Sequence, residues 1–184
     1  MKSEFEKMRS QEMYSYADPE IAEDIKRANA LCIELNKLTA FDIRYRDVIN
    51  SLIPNFPASS VITPPFHCDH GNGIVMGDNS FVNYGCIILD GAVVTFGNNV
   101  KVGPNCQFYT PSHPKGFVER RKPQETSYPI YIGDDTWLGG GVIVCPGVKI
   151  GERCIIGAGS VVINDIPDDS MAAGNPCVVK KSLI

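Results

Sequence analysis

The chain has 184 residues, 43% of them hydrophobic and 21% charged, enough to bury a core without a disulfide or metal staple. A formal net charge of -4 and a pI of about 5.4 give no electrostatic footprint for nucleic acid or an anionic membrane. Charges at Lys2, Glu4, Glu6 and Lys7 argue against a secretory leader, and no apolar run is long enough to span a bilayer. Seven cysteines, an odd number with no Cys-x-x-Cys, fit reduced thiols, so a cytoplasmic location is expected.

Residues 1–57 read as a helical N-terminal extension. Ser3 with Glu6 has the spacing of a capping box, in which each side chain serves the other's backbone amide. Asp18-Pro19 is a second helix start, an acceptor at the cap followed by a residue with φ already set. Behind it Ile21, Ile25, Ala28, Leu31, Cys32, Leu35 and Leu38 recur at three and four, one apolar stripe with Glu23, Lys26, Arg27 and Glu34 on the other side. Thr39 is placed to cap a third helix running to Leu52 or Ile53, before Pro54.

From residue 58 to 184 the grammar changes to a period of six. Ile132, Leu138, Val144, Ile150, Ile156 and Val162 keep it, as do Phe96, Val102 and Phe108, and before them Met76, Val82, Ile88 and Val94. The register slips by two residues between Val94 and Phe96. Two positions before these aliphatics stand small or β-branched residues, among them Ser80, Cys86, Ala92, Cys106, Thr136, Cys154 and Ser160. Neither a helix nor a simple strand produces strict sixes. Three short strands per turn joined by tight corners do, with one aliphatic per side pointing inward and Gly, Asn or Asp tolerating the corner backbone. Asp78-Asn79, Asn98-Asn99 and Asp134-Asp135 supply such corners, and Cys86, Cys106 and Cys154 become interior residues rather than ligands.

The sixes stop after Phe108 and resume at Ile132. The intervening loop, 109–129, contains Tyr109-Thr110-Pro111-Ser112-His113-Pro114 near its root. Long insertions in solenoids gather on one face and commonly carry function. A neutral imidazole can take a proton from a poor nucleophile such as an alcohol and return it to a thiolate leaving group, so His113 is a candidate general base for acyl transfer.

These features resemble the hexapeptide-repeat family, whose fold is a left-handed parallel β-helix. Residues 60–181 are similar to the maltose and galactoside O-acetyltransferases, and the helical start to their N-terminal extension. The motifs that carry the resemblance are Pro65-Phe66-His67-Cys68-Asp69-His70-Gly71, Phe81-Val82-Asn83-Tyr84, the loop motif 109–114, Ile132-Gly133-Asp134-Asp135-Thr136-Trp137-Leu138-Gly139-Gly140 and Asp165-Ile166-Pro167. The resemblance implies a mainly β chain that transfers acetyl from acetyl-CoA to a sugar hydroxyl, without a covalent intermediate or a metal. It implies His113 as catalytic base, Asp69 and Asn83 as acceptor-binding residues, and Glu125 as a loop carboxylate that orients the imidazole or binds the acceptor. It places the Gly140 amide at the thioester oxygen and Ala158, Ile163 and Asn164 at acetyl-CoA contacts, and it implies a homotrimer with sites between subunits.

Departures from the family pattern bear on specificity. Two Arg that hold CoA phosphates in the galactoside enzymes correspond here to Val178 and Lys181, with Lys180 adjacent, and Lys serves a phosphate as a point charge rather than a fork. An acceptor-contacting Asp of those enzymes corresponds to Gly91, as in the maltose type, and an early Asp falls near Tyr16 to Asp18. The alternatives are a xenobiotic O-acetyltransferase, a gamma-type carbonic anhydrase using His67 and His70, and a non-catalytic binding module.

Overall fold

The computed structural model describes residues 2–184. Its first helix, α1 (Glu4–Arg9), starts on the expected capping box: the Glu6 amide donates to Ser3 Oγ at 3.2 Å and the Ser3 amide to Glu6 Oε2 at 2.8 Å. Helix α2 (Pro19–Leu35) starts on Asp18, whose carboxylate accepts from the Glu20 amide at 2.9 Å. Its stripe is buried at Ile21, Ala28, Cys32 and Leu35. Helix α3 spans Tyr45–Leu52, five residues later than a Thr39 cap requires. The Thr39 carbonyl instead closes a turn on the Asp42 amide, and the Asp42 carboxylate takes the Arg44 amide and guanidinium. That local capture competes with an early helix start. A two-residue strand, Tyr14–Ser15, joins α1 to α2 and has no counterpart in the sequence reading.

Beyond α3 the chain winds into a β-helix with three faces. The first face stacks Val61–Ile62, Phe81–Val82, Lys101–Val102, Trp137–Leu138, Ile155–Ile156 and Ser170–Ala173, closed by an antiparallel strand, Val178–Ser182. The second stacks Phe66–Cys68, Cys86–Leu89, Gln107–Tyr109, Ile143–Val144 and Val161–Val162; the third stacks Ile74–Met76, Val94–Phe96, Ile130–Ile132 and Lys149–Ile150. All pairs within the coils are parallel. Inward columns are fully buried, and Phe96 meets Phe108 edge to face at 5.0 Å.

Two corners repeat coil after coil. Before the first face Asn79, Asn99, Asp135, Arg153 and Asp169 all have φ between 54° and 58°. Before the second face Gly85, Asn105, Gly141 and Gly159 hold the same left-handed backbone. Side chains that tolerate this region, or none at all, are therefore placed where the chain must bend sharply. Coils also approach closely here, since a Cβ on Gly103 would lie 2.5 Å from the Gly140 nitrogen.

The third corner, between the second and third faces, does not repeat. Register pairs Cys68, Ile88, Phe108 and Val144 on one face and Met76, Phe96, Ile132 and Ile150 on the next. Only the last of these crossings has six-residue spacing. The first two each carry two extra residues, and the third carries the 109–129 loop. The slip seen in the sequence is thus one edge of the prism.

The helices are fastened across the first coil. Tyr45 Oη donates to the Ile62 carbonyl at 2.8 Å and accepts from its amide at 2.9 Å, and the Asn36 carboxamide bonds both backbone groups of Phe66 at 2.7 and 2.9 Å. Asp24 meets His70 Nδ1 at 2.8 Å and Arg27 Nε at 2.9 Å; those bonds outweigh burial and hold its carboxyl below the usual range. Cys32 and Cys68 lie with their sulfurs 3.7 Å apart as free thiols where α2 crosses the second face.

Asp90, fully buried at the irregular corner, accepts from the His70 and Gly73 amides, both at 2.9 Å. Asp90→Ala would leave two buried donors unpaired, and a loss of about 3 kcal/mol in unfolding free energy is expected. Urea denaturation measures it, and Asp90→Asn, which keeps one acceptor, should lose less.

Candidate active site

The irregular corner gathers polar groups from distant parts of the chain. Loop strands Pro111–Ser112 and Gln124–Ser127 pair antiparallel, and Tyr14–Ser15 of the extension adds a third strand, setting Tyr14 opposite Glu125. His113 follows the first loop strand and is held close to the β-helix. A single turn of 3₁₀ helix, Glu119–Arg121, forms the outer part of the loop.

His113 is half exposed, with Nδ1 3.7 Å from Glu125 Oε2, an ion-pair distance longer than a hydrogen bond. The Glu125 side chain is only 14% exposed. Its other oxygen, Oε1, accepts the Tyr14 hydroxyl, which also lies 3.1 Å from Ser127 Oγ. Tyr16 presents its ring edge-on to His113 at 6.0 Å. Glu125 therefore faces the imidazole at Nδ1, while Nε2 makes no hydrogen bond among the described residues.

Asp69 follows the second-face strand Phe66–Cys68 at the same corner. Burial, then the negative neighbours Asp90 and Glu125, push its carboxyl up to about 7. The Arg9 guanidinium reaches this corner by donating to the Asp90 and Gly91 carbonyls, at 2.5 and 3.0 Å. Burial, then the bond to Glu125, pushes the Tyr14 phenol well above its ordinary value. Gly91 is closely packed by this group: a Cβ there would sit 2.5 Å from Ser127 Oγ and 3.2 Å from Tyr14 Oη.

The other sequence-selected residues lie elsewhere. Register puts Asn83, Gly103, Gly139 and Gly157 in one column at the corner between the first and second faces, with Gly140 and Ala158 in the next. Among the described residues the Gly140 amide donates to no backbone or side-chain acceptor, while its flanking amides bond to Ile156 and Pro104. Ile163 and Asn164 fall two coils along from Tyr109 and Thr110, on the edge from which the loop departs. Lys180 and Lys181 are exposed on the closing antiparallel strand. A single chain thus brings together Asp69, His113 and Glu125 and holds Asn83 and Gly140 one face-width away, about 13 Å for a four-residue strand.

The two histidines of the metal alternative face different ways. His67 points outward from its strand, whereas His70 is buried against Asp24. Among the described residues no three His, Cys, Asp or Glu side chains are grouped to hold a metal ion. No helix among them is long and apolar enough to cross a membrane.

Sequence reading missed Tyr14, Ser127 and Asp90. Only Asp90 left a trace, standing four residues before the slip, where it resembles any corner Asp.

Comparison with known proteins agrees with this architecture. Residues 129–164 match the bacterial transferase hexapeptide (six repeats), and residues 7–53 match the maltose acetyltransferase hexapeptide capping motif. A Staphylococcus aureus protein whose name proposes an acetyltransferase is 42% identical over 183 residues, covering 98% of this chain and 92% of its own. The crystal structure of a maltose O-acetyltransferase from Clostridium difficile 630 superposes with a TM-score of 0.96 at 36% identity, over 100% of this chain and 98% of that one. A hexapeptide-repeat acetyltransferase from Vibrio cholerae, crystallised with acetyl-CoA, gives 0.91 at 37% identity, with both chains fully covered. With its stacked hexapeptide coils, its capping helices and these relatives along its whole length, the chain belongs to the hexapeptide-repeat acetyltransferases and is an acyltransferase.

Proposed function

We propose that this enzyme transfers the acetyl group of acetyl-CoA to a hydroxyl of a sugar such as maltose, glucose or a galactoside, with His113 as general base. The observation that carries this reading is the pairing of His113 with a shielded carboxylate on its Nδ1 side, at the root of the loop that interrupts the coils. The capping-motif match over residues 7–53 favours a sugar over a xenobiotic acceptor.

In this reading both substrates bind together. His113 Nε2 removes the proton of the acceptor hydroxyl as its oxygen attacks the thioester carbonyl carbon. The negative charge that builds on the carbonyl oxygen is met by the unused Gly140 amide. The carbon–sulfur bond then breaks, and the thiolate takes the proton back from the imidazolium. Glu125 orients the imidazole, while Asp69 and Asn83 bind acceptor hydroxyls. Backbone at Ala158, Ile163 and Asn164 lines the acetyl-CoA path, and Lys180 and Lys181 meet its phosphates as point charges.

His113 and Gly140 occupy two edges of one prism, so a complete site needs a second chain to bring its Gly140 edge to the loop of the first. A homotrimer with three clefts meets this need in a closed ring. The extension at residues 1–57 and the β-helix at 58–184 then have separate tasks, the first supporting the loop and the second holding the cofactor.

Three measurements test these assignments. His113→Ala should lower kcat by about 10² to 10⁴ with KM for acetyl-CoA nearly unchanged, and wild-type turnover would remove His113 from the mechanism. Co-expressing His113→Ala with Asn83→Ala chains should restore roughly a quarter of the intact sites, since mixed rings rebuild some clefts; no recovery would place each site within one chain. Asp69 carries a pH signature. Its folded carboxyl holds its proton to about pH 7 against an ordinary 3.8, so its contribution favours folding in acid and is lost as pH rises between those values. Asp69→Asn should therefore be more stable than wild type at pH 8, by roughly 1–2 kcal/mol, and equal to it near pH 4, while its acceptor KM rises.

A further inference from the structure

We propose that Tyr14, on the short strand between α1 and α2, is a positioning residue that holds Glu125 against His113. The inference deepens the acetyl-transfer reading and rests on His113 being its base.

The geometry forms one chain of contacts. Tyr14 has a single O–H, which it donates to Glu125 Oε1, and the Ser127 hydroxyl 3.1 Å away can then donate to the Tyr14 oxygen. The remaining carboxylate oxygen, Oε2, faces His113 Nδ1. Two of these four residues sit on the loop strand that Tyr14–Ser15 pairs with, in a register that sets Tyr14 directly opposite Glu125.

Glu125 needs such a partner. A glutamate side chain has three free torsions, and this one stands on a loop whose outer residues are exposed. Asp69, at the same corner, offers it no anchor, since the two carboxyls disfavour each other's charge. The Tyr14 hydroxyl is a donor anchored independently of the loop: its ring is buried with Met8 and Ile21. The flanking backbone is tied to the first helix as well, with the Ser15 amide donating to Glu4 Oε2 at 2.6 Å. The phenol stays protonated across the working pH range, so it can donate throughout. Tyr14 touches no reacting atom and acts only through the carboxylate.

Tyr14→Phe keeps the buried ring and removes only the hydroxyl, so the fold should survive. Steady-state kinetics of Tyr14→Phe, Glu125→Ala and the double variant form the test, with acetyl-CoA and maltose as substrates. Tyr14→Phe should lower kcat about 10-fold, because a misaimed base loses rate rather than donor binding, and KM for acetyl-CoA should not change. The double variant should be no slower than Glu125→Ala alone, since without the carboxylate Tyr14 has nothing to position. A role in packing alone would lower kcat equally in both backgrounds, and that result, or wild-type kcat in Tyr14→Phe, overturns the proposal. His113→Ala separates the two levels: if it retains full turnover, the acetyl-transfer reading and the role of Tyr14 fall together. If it is inactive while Tyr14→Phe is normal, only Tyr14 is lost.

Discussion

Everything in this molecule follows from the need of each coil to return in register with the one before. The parallel ladders on three faces leave no freedom along the strands, because a one-residue shift would turn the inward column outward. Extra residues can enter only at corners. Two corners are closed to them as well, since left-handed residues such as Asn99 and Gly141 set a fixed bend and neighbouring backbones pack within contact of one another. All surplus chain therefore leaves at the third corner, first as the two-residue excess that carries Asp90 and Gly91, then as the loop that carries His113 and Glu125.

That concentration has an electrostatic consequence. Asp69, Asp90 and Glu125 crowd one edge, and the chain resolves the crowding differently for each. Asp90 is satisfied by two backbone amides, Glu125 by a phenol, and Asp69 by keeping its proton into the neutral range. The acceptor proposed above, with several hydroxyls, would suit this edge, because it can donate to carboxylates and accept from a protonated one. The amide at Gly140 stands on the opposite edge of the second face, where regular corners leave a donor without a partner.

How much of this was legible in the sequence depended on whether a constraint repeats. The inward aliphatics could be read because the same steric demand recurs at Leu138, Val144, Ile150 and Ile156. The corner pairs Asp78-Asn79, Asn98-Asn99 and Asp134-Asp135 could be read for the same reason, and the second of each proved to carry the bend. The break after Phe108 was visible as a break, and His113 stood out within it. What could not be read was pairing over distance. Tyr14 and Glu125 are joined by strands of two and four residues, too short to show alternation, with 110 residues between them. The start of α3 was misread because Asp42, a better local acceptor than Thr39, captured the Arg44 amide and held the chain in a turn.

The contacts that Tyr45 and Asn36 make with Ile62 and Phe66 have a meaning beyond fastening the helices. The first strand of any β-helix presents unpaired amides and carbonyls, the same groups that would accept another molecule's last coil. Here a phenol and a carboxamide occupy backbone groups on two of the faces at that end, and at the other end the Val178–Ser182 strand folds back antiparallel over the last rung of the first face. A solenoid whose repeats stack indefinitely within a chain is thereby kept from stacking between chains. Side chains stand where the next turn of the spiral would have been, which disfavours growth of a filament from this end.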